Sequence, residues 1–325
     1  KNNYHQFQPL LYQVATAALS PSAVSFPLRR IFHKIDNVVF RMAVVREIDK
    51  EKKTIYTNLG TIQYDYLVLS QGANTNYFGN QNIQKFCAPM KSTSEALYIR
   101  NKIISNYERA VNIADEDERK PIMNVVIVGG GTSGWMCAAA IARMAPPNAS
   151  ITLVESEAIG VIGVGEATIP PLLEFNQFLG LDEHEVLREC QGTYKLGIEF
   201  VNWLDLGKRY FHPFGFYGRD TPEFAFHQLW LRLRALSETG KAPAELAGDI
   251  NDYNLCAMAA RLGRFAQPQG GSDAILSTLR HAYHFDSMRY GQLLRRYAEH
   301  RGVRRVEGLV DSVQQHPDHG MIESV

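Results

Sequence analysis

The feature that most constrains this chain is a glycine turn, Gly129-x-Gly131-x-x-Gly134, set between the apolar run NVVIV and the alanine-rich run TSGWMCAAAIARM. A second apolar run, ITLVES, follows and carries Glu155 and Ser156 at its end. Short apolar runs bounded by glycine predict buried strands, and the alanine-rich stretch predicts a helix that starts at the turn, so the segment reads as a βαβ unit of a parallel sheet. Each glycine has a mechanical reason: the first allows the tight turn, the second lets backbone approach a pyrophosphate, and the third lets helix and strand pack closely. A helix starting there points unpaired N–H groups and the positive end of its dipole at an anion. Glu155 would accept hydrogen bonds from an adenosine ribose, which selects FAD or NAD over a 2′-phosphorylated cofactor. The cofactor-binding candidates of this unit are Gly129, Gly130, Gly131, Thr132, Ser133, Gly134, Glu155 and Ser156.

Upstream, residues 9–18 and a segment opening at Pro27 have the spacing of two short helices, each with proline at an allowed first-turn position. Runs rich in Val, Ile and Tyr then predict a β-meander that leads into one buried strand at residues 66–70. Ser92 with Glu95 forms a capping-box pattern ahead of a long amphipathic helix, and a polar run ending at Pro121 marks the expected domain boundary. Two domains are therefore expected, residues 1–122 and 123–325. Beyond Pro170 the pattern is mainly helical and aromatic-rich, with helices near residues 253–262 and 286–301, and a strand pair closes the chain. The fold class expected is α/β, a Rossmann-like unit with a parallel sheet and a β-meander, followed by a mainly helical substrate region.

Lys plus Arg equals Asp plus Glu at 34 each, so no net field favours nucleic acid or an anionic membrane, and small molecules are the default partners. No stretch approaches the roughly 18 to 20 apolar residues needed to span a bilayer, and the opening KNNYHQFQ does not read as a signal peptide, so the reading is cytoplasmic. Cys87, Cys137, Cys190 and Cys256 stand far apart without CxxC spacing and read as buried free thiols, with no metal site.

A second glycine-rich segment, GVIGVGEATIPPLLEF, places Gly163, Val164, Gly165, Glu166 and Ala167 ahead of a proline pair. By composition it is as much a plain turn as a contact for a flat ligand. The order GGGTSGWM, GVGEATIPPLLEF, GTYKLGIEFVNW, FHPFG is similar to the flavin-dependent tryptophan halogenase family from about residue 123 onward. The resemblance implies that residues 163–167 contact the flavin and that Lys195, matching the lysine before FVNW, is catalytic. On composition alone Lys195 would be a surface lysine. It further implies that His212 and Phe214 sandwich an indole ring, whereas the other aromatics of the region, Phe211 among them, receive no role. The activity implied is oxidation of halide with reduced FAD and oxygen, then delivery of electrophilic halogen by Lys195 to tryptophan or a related indole. Reduced FAD would come from a separate flavin reductase. The segment from HFDSMRYG to RRVEG resembles the helix and strand with which that family returns to its FAD-binding sheet. The family's later WxWxIP signature, its downstream glutamate and its halide loop are not in this sequence, so impaired catalysis is expected.

Residues 1–131 instead resemble type II NADH dehydrogenase, through KNNYHQFQPLLYQVATAALSPSAVSFPLRRIF and IQYDYLVLSQGANTNYFGN. That resemblance implies FAD contacts at Gly72 and Ala73. The two likenesses meet at NVVIVGGG, as in a chimera, and the run at residues 66–70 is then expected to complete the parallel sheet of the second half. The readings competing with halogenation are a type II NADH:quinone oxidoreductase fragment and a non-catalytic FAD-binding fragment.

Overall fold

The computed structural model describes residues 2–33, 35–77, 79–158, 165–203, 205–269, 271, 274–316 and 322–324. The chain divides into two compact units, Lys1–Gly160 with Tyr297–Val325, and Val161–Arg296.

In the first unit β1 (Tyr4–Gln6) pairs antiparallel with β2 (Ser25–Pro27), around the short helices α1 (Leu11–Ala15), α2 (Pro21–Val24) and α3 (Leu28–Ile31). The helical run predicted at residues 9–18 stops early. The Thr16 hydroxyl bonds back to the Tyr12 carbonyl at 2.9 Å, and Ala17 takes a left-handed φ of 59°. Next come β3 (Val45–Asp49), β4 (Thr54–Thr57) and β5 (Gly60–Gln63), an antiparallel meander as the sequence indicates. Its charged turn is closed by the Asp49 carboxylate, which accepts from the N–H groups of Glu51 and Lys52 at 3.0 and 2.9 Å. The strand predicted at residues 66–70 does not form: Tyr66 and Val68 are 94% and 85% exposed, and among the described residues no strand lies between Gln63 and Asn124. An apolar run becomes a strand only where a neighbouring ladder accepts its N–H and C=O groups, and none does here.

Helices α4 (Gln81–Phe86), α5 (Thr93–Val111) and α6 (Glu116–Met123) follow, and the capping box expected at α5 is complete, with Ser92 and Glu95 each satisfying the other's backbone N–H. The polar run before Pro121 is helical because the Asp115 carboxylate caps it, accepting from the N–H groups of Asp117 and Glu118. Then β6 (Asn124–Val128), α7 (Thr132–Met144) and β7 (Ser150–Glu155) form the predicted parallel βαβ unit.

The second unit holds β8 (Gly165–Ala167), α8 (Pro171–Leu179), α9 (Glu183–Glu189), β9 (Thr193–Lys195), β10 (Gly197–Val201), β11 (Arg209–Pro213), α10 (Phe226–Glu238), α11 (Leu255–Arg261), β12 (Ala282–Asp286) and most of α12 (Ser287–His300). Helical residues outnumber strand residues in it, and the strands form two small antiparallel sheets, β8-β12-β9 and the hairpin β10-β11. Its core includes Phe175, Leu179, Tyr283 and Tyr290, and the Tyr290 hydroxyl donates to the Asn176 side-chain carbonyl at 2.6 Å.

The chain re-enters the first unit with β13 (Arg304–Glu307), β14 (Gln314–Gln315) and β15 (Ile322–Ser324). β13 does not pair with the last strand. It adds parallel to β7, giving the order β13-β7-β6, and β14 pairs with β15. The return to the sheet implied by the halogenase resemblance is thus present. Among the described residues no helix is long and apolar enough to cross a membrane.

Candidate functional site

Each unit carries one candidate site. In the first, the Gly129 N–H donates to the Val154 carbonyl at 2.9 Å, and a left-handed φ of 112° turns the chain from β6 toward α7. Gly131 is the N-cap of α7 and no side chain caps that helix end. A β-carbon on Gly134 would collide with the Gly129 carbonyl, and one on Gly130 would collide with the Glu155 side chain. Thr132 and Ser133 open the helix, so residues 129–134 form a glycine-rich cradle without a side-chain cap, and the helix dipole there favours an anion.

Glu155 ends β7 beside this cradle. Its carboxylate accepts from Arg305 Nε at 2.5 Å and from Trp135 Nε1 at 3.3 Å. Arg305 also bonds Glu157 at 2.9 Å and Glu307, and these carboxylates, Glu155 first, raise the guanidinium's pKa. Three carboxylates around one guanidinium leave the corner net negative, which suits ribose hydroxyl donors and repels a 2′-phosphate. Arg305 and Trp135 were not legible as partners of Glu155, because the parallel register that sets β13 beside β7 is a long-range fact. The cradle and its acidic corner fit a dinucleotide such as FAD. Ser156 follows Glu155 in coil, and Gly72 and Ala73 stand in exposed coil. Gly163 and Val164 lie outside the described residues.

In the second unit the site is built on β9 and β12. Lys195 faces Ala282 across the ladder, so the two share a face, and His284, two residues along β12, shares it as a diagonal neighbour. Lys195 is 5% exposed, against the surface position its composition suggests. Its ammonium donates to the Thr168 carbonyl at 2.9 Å and lies 5.3 Å from the centroid of the Phe214 ring. Thr168 is itself held in place, exchanging backbone and hydroxyl hydrogen bonds with Tyr283 at 2.9 to 3.0 Å. Burial lowers the Lys195 pKa from its ordinary range, and partial desolvation together with the Lys195 charge lowers that of His284.

A cleft of about 360 Å³ opens beside this pair, lined by Tyr194, Lys195, Phe211, Arg264, Phe265 and His284 among others. Tyr194 and Phe265 stack at 3.7 Å with 15° between their planes. Phe214 reaches Lys195, whereas His212 stands exposed on β11 opposite Ile198. Gly165, Glu166 and Ala167 form β8 on the edge of the same sheet, with Glu166 paired to Phe285. Phe211, Arg264, Phe265 and His284 are cleft residues that sequence reasoning missed. The alternation Ala282, His284 along HAYHFD is the one local signal for His284, and the others come from distant parts of the chain, Phe211 from β11 and Arg264 and Phe265 from the loop after α11.

A parallel βαβ unit with a glycine cradle and an acid at the end of its second strand defines a Rossmann-type dinucleotide-binding oxidoreductase. The chain belongs to the tryptophan halogenase family over residues 124–325 and to the pyridine nucleotide-disulphide oxidoreductase family over residues 1–167, the two matches overlapping across the glycine turn. It is 37% identical over 203 residues to 7-chloro-L-tryptophan 6-halogenase KtzR of Kutzneria sp., covering 58% of this chain and 38% of that protein. It is 36% identical over 149 residues to type II NADH:quinone oxidoreductase Ndh of Mycobacterium tuberculosis, covering 45% of this chain and 32% of that one. Among solved structures, Xcc4156, a flavin-dependent halogenase from Xanthomonas campestris, matches with a TM-score of 0.54 and 42% identity over 61% of this chain and 38% of its own. The chain therefore spans about two fifths of the length of the halogenases it matches.

Proposed function

We propose that this chain serves flavin-dependent halogenation of tryptophan or a related indole, with residues 123–325 carrying the chemistry and residues 1–122 forming an NADH dehydrogenase-like segment. The observation that carries the reading is the buried Lys195 ammonium, held on a rigid carbonyl at the wall of an aromatic cleft in the halogenase-matching part of the chain. Residues 129–134 would hold the pyrophosphate of FAD and Glu155 its ribose, with Gly163, Val164, Gly165, Glu166, Ala167 and Ser156 as further contacts. Reduced FAD, supplied by a separate flavin reductase, provides with oxygen the means of converting halide to hypohalous acid. Lys195 then either hydrogen-bonds the hypohalous acid or, deprotonated, takes the halogen as a haloamine with loss of water, and presents it to the indole ring. A lowered pKa raises the neutral amine fraction that the second course needs. Phe214 and His212 would orient the ring by stacking.

The test supplies purified chain with FAD, a flavin reductase, NADH, bromide and L-tryptophan or indole, and follows halogenated product by mass spectrometry. Product from the parent chain and none from Lys195→Met, with FAD binding unchanged, is the expected result. No product from the parent, or equal product from both, overturns the reading. The match of residues 1–167 supports a second reading, NADH:quinone oxidoreduction, which the same preparation tests by quinone-dependent NADH oxidation without added reductase.

A further inference from the structure

The cleft beside Lys195 has a cationic end that the halogen-transfer chemistry leaves unused. Arg264 lies there, and the backbone sets its position: α11 stops on left-handed Gly263 (φ 60°), whose N–H donates to the Ala260 carbonyl at 3.1 Å. The Arg264 N–H donates to the Ala259 carbonyl at 2.8 Å. This pair of bonds is the Schellman helix stop, and it turns the residue after the glycine out of the helix at a defined place. Ala260 and Gly263 line the cleft as well, so that edge of the wall carries little bulk.

Arg261, one turn earlier, shows what an arginine does here when a partner is at hand: it is held by Asp249 and Asp252 at 2.5 and 2.6 Å. The Arg264 side chain is exposed and has no hydrogen-bond or ion-pair partner among the described residues. Among the described residues no acidic side chain lines the cleft, while Tyr194, Phe211 and Phe265 supply aromatic surface. A partnerless guanidinium beside ring-sized apolar walls matches a ligand that joins an aromatic ring to a carboxylate, because the planar fork takes both carboxylate oxygens at once.

We infer that Arg264 binds the carboxylate of an indole-bearing acid whose ring lies in this cleft, and so discriminates indole carboxylates from neutral indoles. The inference rests on the reading of the cleft as the indole site.

Calorimetric titration of the full chain with indole-3-propionate and with 3-methylindole tests it, in the parent, Arg264→Gln and Arg264→Lys. Loss of a charge-assisted bidentate pair is expected to weaken indole-3-propionate about tenfold or more in Arg264→Gln, while 3-methylindole stays within about twofold and so reports an intact cleft. Arg264→Lys, which keeps the charge without the fork, should fall between the two. Equal affinities in parent and Arg264→Gln, or equal weakening of both ligands, overturns the role of Arg264 and leaves the indole site standing. If the parent binds neither ligand, the indole-site reading falls and takes this inference with it.

Discussion

At the scale of the residue, Lys195 is the most unusual choice in the chain, since an ammonium is among the groups most costly to bury. Among the described residues, one hydrogen bond to a carbonyl and a ring face 5.3 Å from its nitrogen offset that cost. The consequence for pH can be worked through. Burial lowers the folded-state pKa below the ordinary value of 10.5, so between the two values the unfolded chain binds more protons than the folded one. Stability must then rise with pH through that window, and the charged lysine is a net penalty below it. Denaturant unfolding of parent and Lys195→Met from pH 7 upward should show the parent gaining on the variant as pH approaches 10.5; a difference that stays flat, or moves in favour of the variant, would mean that the lysine is solvated in the folded state. Composition could not reveal this burial. The resemblance in GTYKLGIEFVNW singled out the residue, but the acceptor at Thr168 and the neighbour at His284 depend on which strands flank β12.

Among the elements, the turn into α7 is where sequence and structure agree most closely, because every requirement there is local: a left-handed glycine, an uncapped helix end and a strand on each side. Gly134 is the sharpest probe of it. Any side chain at that position meets the Gly129 carbonyl, which pushes α7 away from β6 and opens the phosphate cradle. Gly134→Val should therefore lower FAD affinity by a factor of about a hundred or more, as expected for backbone displacement in a pyrophosphate loop, with helical circular dichroism retained. Wild-type FAD affinity in that variant would show that the cofactor does not use the turn. The run at residues 66–70 is the counter-example. Its composition is that of a buried strand, yet strand formation needs a partner ladder, and composition carries no information about whether one is available. The short strands β8, β9 and β12 form but are not legible in the sequence, for the related reason that three to five residues give too little period for pattern reading.

For the whole molecule, the decisive fact is that each unit gathers its site from distant pieces of chain. The cradle in the first unit joins β6, α7 and β7 to Arg305 on β13, across 150 residues of sequence. The cleft in the second joins β9, β11, the end of α11 and β12. Ligand contacts should accordingly protect discontinuous segments together, and different ones for the two ligand classes. Hydrogen exchange followed by mass spectrometry reads this directly, since slowed exchange marks segments whose local opening a ligand suppresses. FAD is expected to slow residues 124–134, 150–155 and 304–307 as a set, because stabilising the Glu155 corner also holds β13 against β7. An indole ligand is expected to slow residues 193–197 and 282–285 with little effect on residues 304–307. Protection by FAD that reaches residues 129–134 but leaves 304–307 unchanged would mean that Arg305 supports Glu155 in the folded chain without taking part in cofactor binding. Protection by FAD confined to the second unit would place the cofactor away from the glycine cradle and remove the basis for assigning residues 129–134 to it.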